Sequence, residues 1–522
     1  MESNRAVVCL EPRKIEPGSV LKLVTTKSCG GIQHMMVRRR WVAVIMGLAL
    51  QWLCVVSGVL AAWAQSEKAE AEPKRPALQI GSALRFNEDW STLKGVDLSQ
   101  TDDFWDRVKF IPLTQDQSVW LSFGGQARAR VEYFNQFQWG ASEPEESNAY
   151  LLTRLRWSAD LHVTPYFRMY VEGKSALVPV NRKLQGDNST AFYDQNSLFN
   201  GFADIMIPFG EQANATLRGG RQELLFGSQR LVGPGDYTEV PHTFDGVQTI
   251  VRIGDWTVTP FWTQAVIVGK YNINTSTTDH LLFGIYGTAP AHLLPMNLDL
   301  YYLGADNTAA AFNGTAGLEK RHTLGLRTWG KIGQTNWDFE LEGAGQFGTV
   351  GSGNISAGMF TAVLGYTLPV KDLSPRAYLE FDYASGDQKR GGNVGTFNQL
   401  FPNGHSYLGY IDYIGRQNII SSSGGISVTP LRDLTLSLQQ YFFWRASIAD
   451  SIYNKSSAII RAANGTTARY VGAETDLFAN YNFTYHLQGY TGYSYFFPGG
   501  FIHKTGPHKA SNFYYAQLQY TF

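Results

Sequence analysis

The sequence predicts an all-β protein, an antiparallel transmembrane β-barrel of about 18 strands behind a short N-terminal periplasmic segment. Three observations carry that prediction. Apolar and polar residues alternate at period two from about residue 121 to the end, over runs of 10–14 residues. That is the length a strand needs to cross a bilayer at a tilt, whereas soluble strands average about 5–6 residues. Charged residues make up only 17% of the 522, aromatics 14%, and there are 53 glycines; soluble globular chains carry about 25% charged. Finally, the chain ends on an amphipathic strand whose last residue is Phe522.

The composition also excludes classes. A disordered chain needs high charge and few aromatics. A nucleic-acid binder usually shows a basic excess, but here 44 Lys and Arg balance 44 Asp and Glu. The zero is a sum of unlike parts. Residues 1–80 hold 11 of the basic and 6 of the acidic residues, which leaves 33 and 38, or −5, for the remainder.

Taken in order, the N-terminus reads as a targeting element. Arg38-Arg39-Arg40 precede an uncharged stretch from Trp41 to Ala64 that ends in Ala62-Trp63-Ala64. A basic region, an apolar region and a small-x-small site describe a secretory signal, so residues 1–64 are assigned to it. Translation from Met35 or Met36 would give that signal an ordinary length, leaving 1–35 untranslated. A membrane anchor is the alternative for so long a stretch. Cys54 follows bulky Trp52 and Leu53, which argues against lipoprotein processing. Cys9, Cys29 and Cys54 all precede Gln65, so the mature chain has no disulfide or thiolate site. Residues 65–120 form a periplasmic leader or plug-side segment, flexible where Glu, Lys, Ala and Pro dominate and ordered over 86–112.

The barrel occupies 121–522. In 121–133, Leu121, Phe123, Ala127, Ala129, Val131 and Tyr133 share one face, with Ser122, Gln126, Arg128, Arg130 and Glu132 on the other. In 149–163, Leu151, Leu155, Trp157 and Leu161 oppose Arg154, Arg156, Ser158, Asp160 and His162. In 336–345, Trp337, Phe339 and Leu341 alternate with Asp338, Glu340 and Glu342. In the last run Tyr514, Ala516, Leu518, Tyr520 and Phe522 oppose Gln517, Gln519 and Thr521. Strands are expected to begin near 121, 149, 166, 198, 214, 243, 256, 279, 296, 321, 335, 355, 375, 417, 434, 471, 486 and 512. Loops are expected near 181–197, 228–242, 305–320, 388–416, 447–470 and 499–511, some folding inward. A barrel this wide encloses an aqueous lumen unless it is plugged.

Several motifs are then recognisable: Asn87-Glu88-Asp89-Trp90; Lys109-Phe110-Ile111-Pro112-Leu113; Phe123-Gly124-Gly125-Gln126-Ala127-Arg128-Ala129-Arg130-Val131-Glu132; Gly220-Arg221-Gln222-Glu223 with Phe226-Gly227-Ser228-Gln229-Arg230-Leu231; Phe244-Asp245-Gly246-Val247; Tyr383-Ala384-Ser385-Gly386-Asp387; and 397–410. Together, in this order from about 87 to 522, they resemble the alginate-export family of outer-membrane porins. The resemblance implies an 18-stranded barrel that passes a polyuronate through an Arg-rich constriction. It carries over Arg128, Arg130, Arg154, Arg156, Arg221, Arg230 and Asp245. The expected substrate path adds Glu132, Asp160 and Arg168. Period-two parity places Arg128, Arg130, Arg154 and Arg156 toward the lumen. On the lipid face each would cost about 2–4 kcal/mol at the bilayer midplane. Guanidinium forks bind carboxylates in bidentate geometry, and several weak sites suit conduction better than one tight one. The same polar faces carry Glu132, Asp160, Glu172, Asp204, Glu380 and Asp382, so the arginines could instead form a paired ladder with no substrate role.

The expected function is passive diffusion of an anionic polysaccharide such as alginate, or of related organic anions, across the bacterial outer membrane. A general or uptake porin, a plugged structural or adhesion barrel and an outer-membrane hydrolase are the alternatives. Expected partners are the anion, outer-membrane lipid and periplasmic export proteins, with no nucleic acid and a monomeric barrel. No enzyme activity, catalytic residue, cofactor or metal is expected. Gly343-Ala344-Gly345-Gln346-Phe347-Gly348 fits a dinucleotide pattern but lacks the strand–turn–helix setting. His405-Ser406 are adjacent on one loop, which gives no base-to-nucleophile geometry. Asp306-Asn307 and Asp387 read as solvated turn residues before they read as calcium ligands.

Overall fold

The computed structural model describes residues 84–99, 101–141, 148–180, 190–290, 296–371 and 373–522. The assigned signal and the start of the leader, expected to be flexible, lie outside the described residues.

Among the described residues eighteen strands, each hydrogen-bonded antiparallel to its sequence neighbours, form the barrel, and the two-residue strand Ile111–Pro112 adds to the same sheet beside the first of them. They are β1 (Val119–Asn135), β2 (Asn148–Val163), β3 (Phe167–Val180), β4 (Asp194–Pro208), β5 (Ala213–Gln222), β6 (Phe244–Ile253), β7 (Trp256–Ile267), β8 (Thr275–Ala289) and β9 (Asn297–Phe312). They continue with β10 (Thr315–Lys331), β11 (Trp337–Val350), β12 (Gly353–Thr367), β13 (Arg376–Ala384), β14 (Ile419–Leu431), β15 (Leu434–Arg445), β16 (Tyr470–Asn482), β17 (Leu487–Pro498) and β18 (Ser511–Thr521). Pairing of β18 with β1, from Gln126 with Thr521 to Asn135 with Asn512, closes the barrel. Closure leaves no unpaired edge, which the hydrocarbon core of a bilayer would not tolerate. Among the described residues no helix is long and apolar enough to span a membrane.

The strand starts agree with the sequence reading within a few residues, with one correction. The loop expected at 305–320 is instead the tip of a long hairpin. β9 and β10 run through it and join at Asn313-Gly314. Both turn residues have positive φ, 39° and 92°, the conformation a two-residue hairpin turn requires and Asn-Gly adopts most readily. The small run Ala309-Ala310-Ala311 hid the strand, because it offers no amphipathic contrast, and a register shift between Asn307 and Ala310 interrupts the alternation. The dinucleotide-like 343–348 lies wholly within β11.

The wall is inverted relative to a soluble sandwich. Its outward residues, among them Leu155, Trp157, Leu300, Leu324, Leu477 and Leu518, are about half exposed. They form the lipid-facing band, and Tyr166, Phe209, Trp256 and Trp337 mark its turn-side rim. The buried core lies inside the barrel. Short turns such as 164–166, 254–255 and 432–433 join strands at one end. At the other end run 136–141, 190–193, 223–243, 385–418, 446–469 and 499–510 among the described residues. Short turns are periplasmic and long loops extracellular in outer-membrane barrels.

Three of the long loops fold into the lumen. Loops 223–243 and 385–418 join through Phe401 N–H to the Leu231 carbonyl (2.9 Å) and Gly233 N–H to the Phe401 carbonyl (2.8 Å). Loop 385–418 is pinned to β16, where Glu474 Oε1 accepts the Ile411 N–H at 2.9 Å and Asp476 Oδ2 the Tyr410 N–H at 3.2 Å. Gly409 makes this approach possible: its φ is +89°, and a Cβ there would stand 2.5 Å from the Glu474 carboxylate. Loop 446–469 contains a small hairpin, Ile452–Tyr453 with Ile459–Arg461. It meets the second loop through Gly415 N–H to the Tyr453 carbonyl, 2.8 Å.

At the turn end, the segment before β1 packs across the closure seam. Arg85 donates to the carbonyls of Gly125 (2.5 Å) and Phe522 (2.8 Å). Trp105 stacks on Phe522, 3.7 Å between centroids, and donates to the Tyr520 hydroxyl at 2.7 Å. Phe86 enters the lumen against Tyr170 and Phe202. The Lys109 ammonium donates to the Phe123 carbonyl at 2.9 Å, and burial lowers its pKa to about 8.

Candidate functional site

Hairpin pairing of β1 with β2 sets Arg128 directly opposite Arg154 and Gln126 opposite Arg156. Parity aims all four arginines inward, so Arg128, Arg130, Arg154 and Arg156 meet in one cluster. Like charges opposed on a ladder repel, and buried charges must be paired. These side chains are 0–4% exposed, and each is compensated.

Part of the compensation comes from the wall. Arg130 Nε donates to Glu132 Oε1 at 2.7 Å, and Arg156 makes a bidentate pair with Glu172 at 2.7 and 3.1 Å. Arg154 donates to Gln126 Oε1 at 2.7 Å, and Arg128 to Gln519 Oε1 at 3.0 Å. The rest comes from loop 223–243. Asp236 pairs with Arg128 (2.7 Å), Arg154 (2.9 Å) and Arg156 (3.4 Å). Glu239 lies 3.0 Å from Arg130. Backbone carbonyls complete the set: Arg128 donates to Asp236 O (2.8 Å), Arg130 to Tyr237 O (2.5 Å) and Arg154 to Thr238 O (3.2 Å). Arg130 also lies over the Tyr237 ring, 4.0 Å from its centroid. Burial alone would raise the Asp236 carboxyl; Arg154, Arg128 and Arg156 outweigh it and hold it below the ordinary carboxylate range.

The same loop reaches the opposite wall with the opposite charge. Arg230 pairs with Glu342 on β11 at 3.0 Å and Glu380 on β13 at 3.5 Å, and also with Glu340. It covers the Tyr407 ring at 4.7 Å. Loop 223–243 is therefore a strap across the lumen, cationic at one anchor and anionic at the other.

The remaining predicted positions separate. Asp160 and Arg168 form a bidentate pair, both contacts 2.7 Å, and Arg168 also holds the Phe86 carbonyl at 2.5 Å near the turn end. Arg221 and Asp245 oppose each other across β5 and β6 in a bidentate pair of 2.7 and 2.8 Å. They share the outward face with Leu217 and Val247, whereas Arg218, Gln222 and Gln248 face in. The structure thus corrects the expectation that these two line the lumen. The Gly-Arg-Gln motif puts Gln222, not Arg221, on the inner face.

Sequence reasoning missed Asp236 and Glu239, which carry no strand parity and reach the cluster only through the path of their loop. Parity could have found Arg218, which pairs with Asp204 at 2.7 Å, and Arg327, which pairs with Asp299 at 3.1 Å and Glu340 at 2.9 Å.

Above the strap lies a cavity of about 660 Å³ lined in part by Lys174, Phe199, Tyr237, His242, Asp412 and Lys455. His405 stacks on Tyr237 (3.4 Å between centroids), and its Nδ1 hydrogen-bonds Asp412 at 3.0 Å. Burial holds His242 and His405 below the ordinary imidazole value, against the opposing effect of Asp412 on His405. Among the described residues no three His, Cys, Asp or Glu converge as a metal site.

The alginate export family profile matches residues 119–516, well over half of the chain. The chain belongs to the alginate export family. It is similar in fold to solved porins. OpdO of Pseudomonas aeruginosa matches with a TM-score of 0.51 and 13% identity over 77% of this chain and 97% of that one. OccAB2 of Acinetobacter baumannii gives 0.51 and 12%, over 77% and 98%. OccK8 (OprE) of Pseudomonas aeruginosa gives 0.50 and 14%, over 79% and 99%. No curated protein matches the chain. Family and fold place this alginate export family member in the bacterial outer membrane as a barrel of the channel-forming kind.

Proposed function

We propose that this family member is a passive channel for polyhydroxylated organic anions, with a polyuronate such as alginate as the extended form of that substrate. The observation that carries the reading is the convergence of Arg128, Arg130, Arg154 and Arg156 on one stretch of the inner wall. A file of guanidinium groups lowers the barrier for a carboxylate in a low-dielectric lumen. The residues assigned to the path are those four, with Glu132 and Arg230 shaping the field around them. Arg168 and Asp160 belong to the turn-end exit, where residues 84–113 narrow the mouth. Catalysis is no part of this reading: His405 and Asp412 serve to fix a loop.

A second reading, passage of small organic anions rather than a polymer, has its own support. Three loops occupy the lumen, and the described cavity above the strap is about 660 Å³, enough for a small ligand.

Reconstitution in planar bilayers tests both. Concentration-dependent current block by oligouronates of increasing length is the expected result for the polymer reading. Block by monouronates with no gain from length favours the second. Ohmic current indifferent to every uronate overturns the proposal.

A further inference from the structure

The segment Asp236–Glu239 meets the arginine cluster as an acidic ligand would. It offers two carboxylates, three successive backbone carbonyls and one ring to four guanidinium groups on two strands. Those are the functional groups of an acidic oligosaccharide: carboxylates, oxygen acceptors and a flat face.

The fit is also incomplete, as a stand-in's would be. Glu239 is fully buried, yet neither of its carboxylate oxygens receives a well-aligned hydrogen bond from any described residue. Arg130 Nη2, equally buried, has no hydrogen-bond partner there either. Glu239 is thus held by charge alone, 3.0 Å from Arg130, 3.7 Å from Arg128 and 3.9 Å from Arg154. The wall carboxylates of the same cluster, Glu132 and Glu172, by contrast make aligned hydrogen bonds to Arg130 and Arg156. A freely diffusing carboxylate could align with the donors that Glu239 leaves unused.

Charge points the same way. Among the described residues five carboxylates lie within 4.0 Å of the four guanidinium groups: Glu132, Glu172, Glu223, Asp236 and Glu239. Two of the five belong to the tetrapeptide. Counted by formal charge, the described cluster has four cations against five anions with it in place; without it, four against three.

We infer that Asp236 and Glu239 are specificity-determining residues that act as a tethered competitor for the arginine site. A permeating acidic oligosaccharide must displace them, so they set how tightly it binds and how selective the pore is. The inference rests on the proposed anion-channel reading and identifies the groups that tune it.

The test uses the full mature chain in planar bilayers, with wild type, E239Q and the D236N/E239Q pair, and an oligouronate as the probe. Glu239 makes no aligned hydrogen bond, so E239Q is the variant least able to disturb folding. Heat-modifiable migration on a gel confirms a folded barrel. The expected result is a several-fold rise in the Cl⁻/K⁺ permeability ratio and at least a tenfold tighter oligouronate block in the pair, with E239Q intermediate. The D236E/E239D pair, which keeps both charges, restores wild-type selectivity. If wild type is blocked and folded E239Q shows unchanged block and permeability ratio, the competitor role is overturned while the channel reading stands. If neither wild type nor variant responds to any uronate, the channel reading falls and this inference with it.

Discussion

The two anchors of loop 223–243 solve one electrostatic problem with opposite polarity. On β1 and β2 the wall is cationic and the loop brings Asp236 and Glu239. On β11 and β13 the wall is anionic and the loop brings Arg230. The anchors differ in redundancy. Asp236 alone serves three arginines. Glu340, by contrast, has a second arginine, Arg327, at 2.9 Å. The first anchor is a tight knot in which every charge depends on its neighbours. The second is backed up by the wall at Glu340, while Glu342 and Glu380 share Arg230. A loop tied in this way is held in the lumen at both ends.

Breaking the first anchor from the wall side should have the largest effect. Arg154→Ala leaves Asp236 short of one partner in a buried setting, and removing one member of a buried pair costs about 3–5 kcal/mol. The expected outcome is a lower denaturant midpoint in micelles together with larger, noisier single-channel steps. Arg230→Ala should come close behind, at about 3 kcal/mol, because it takes the shared arginine from Glu342 and Glu380 although Arg327 still compensates Glu340; the same two measurements give the ranking.

Acid should loosen the loops next. His242 and His405 are buried and their pKa values are depressed, so the unfolded loops take up protons first as pH falls through about 6.5. Their packing is therefore fully stable above that value and weakens on acidification. Asp236 is depressed as a carboxylate, so its contribution is full above about pH 4 and is lost progressively below it. Current noise recorded between pH 7 and 5 should rise, and His405→Gln should flatten that rise. The smallest effect belongs to Arg221 and Asp245. Their pair is on the outward face, but the Arg221 side chain is about nine-tenths buried and also donates to the Leu198 and Asn274 carbonyls, so Arg221→Ala should cost about 1–2 kcal/mol. It should leave ion selectivity unchanged.

How far the sequence spoke for itself follows from the same contrast. Strand residues were legible because period two is a local rule: Arg128 and Trp157 declare their faces through their immediate neighbours. The rule also explains the miss at 305–320, where three consecutive alanines carry no face at all. It explains Arg221 too, since the motif was taken over whole although parity puts Gln222 inward. Asp236 and Glu239 were not legible. Their partners are about 80–110 residues away in sequence, and only the path of the loop brings them together. Acidic residues on the strand faces hinted that the arginines are paired. Part of the pairing charge nevertheless comes from a loop, which no alternation pattern describes.

The most direct test of the strap is a double-mutant cycle between Arg154 and Asp236, read by reversible unfolding of the barrel in micelles. A salt-bridged strap predicts that Arg154→Ala and Asp236→Ala are strongly non-additive, with a coupling of at least about 1.5 kcal/mol. Additivity within about 0.5 kcal/mol would mean that the loop does not rest on the arginine wall, and would contradict the account.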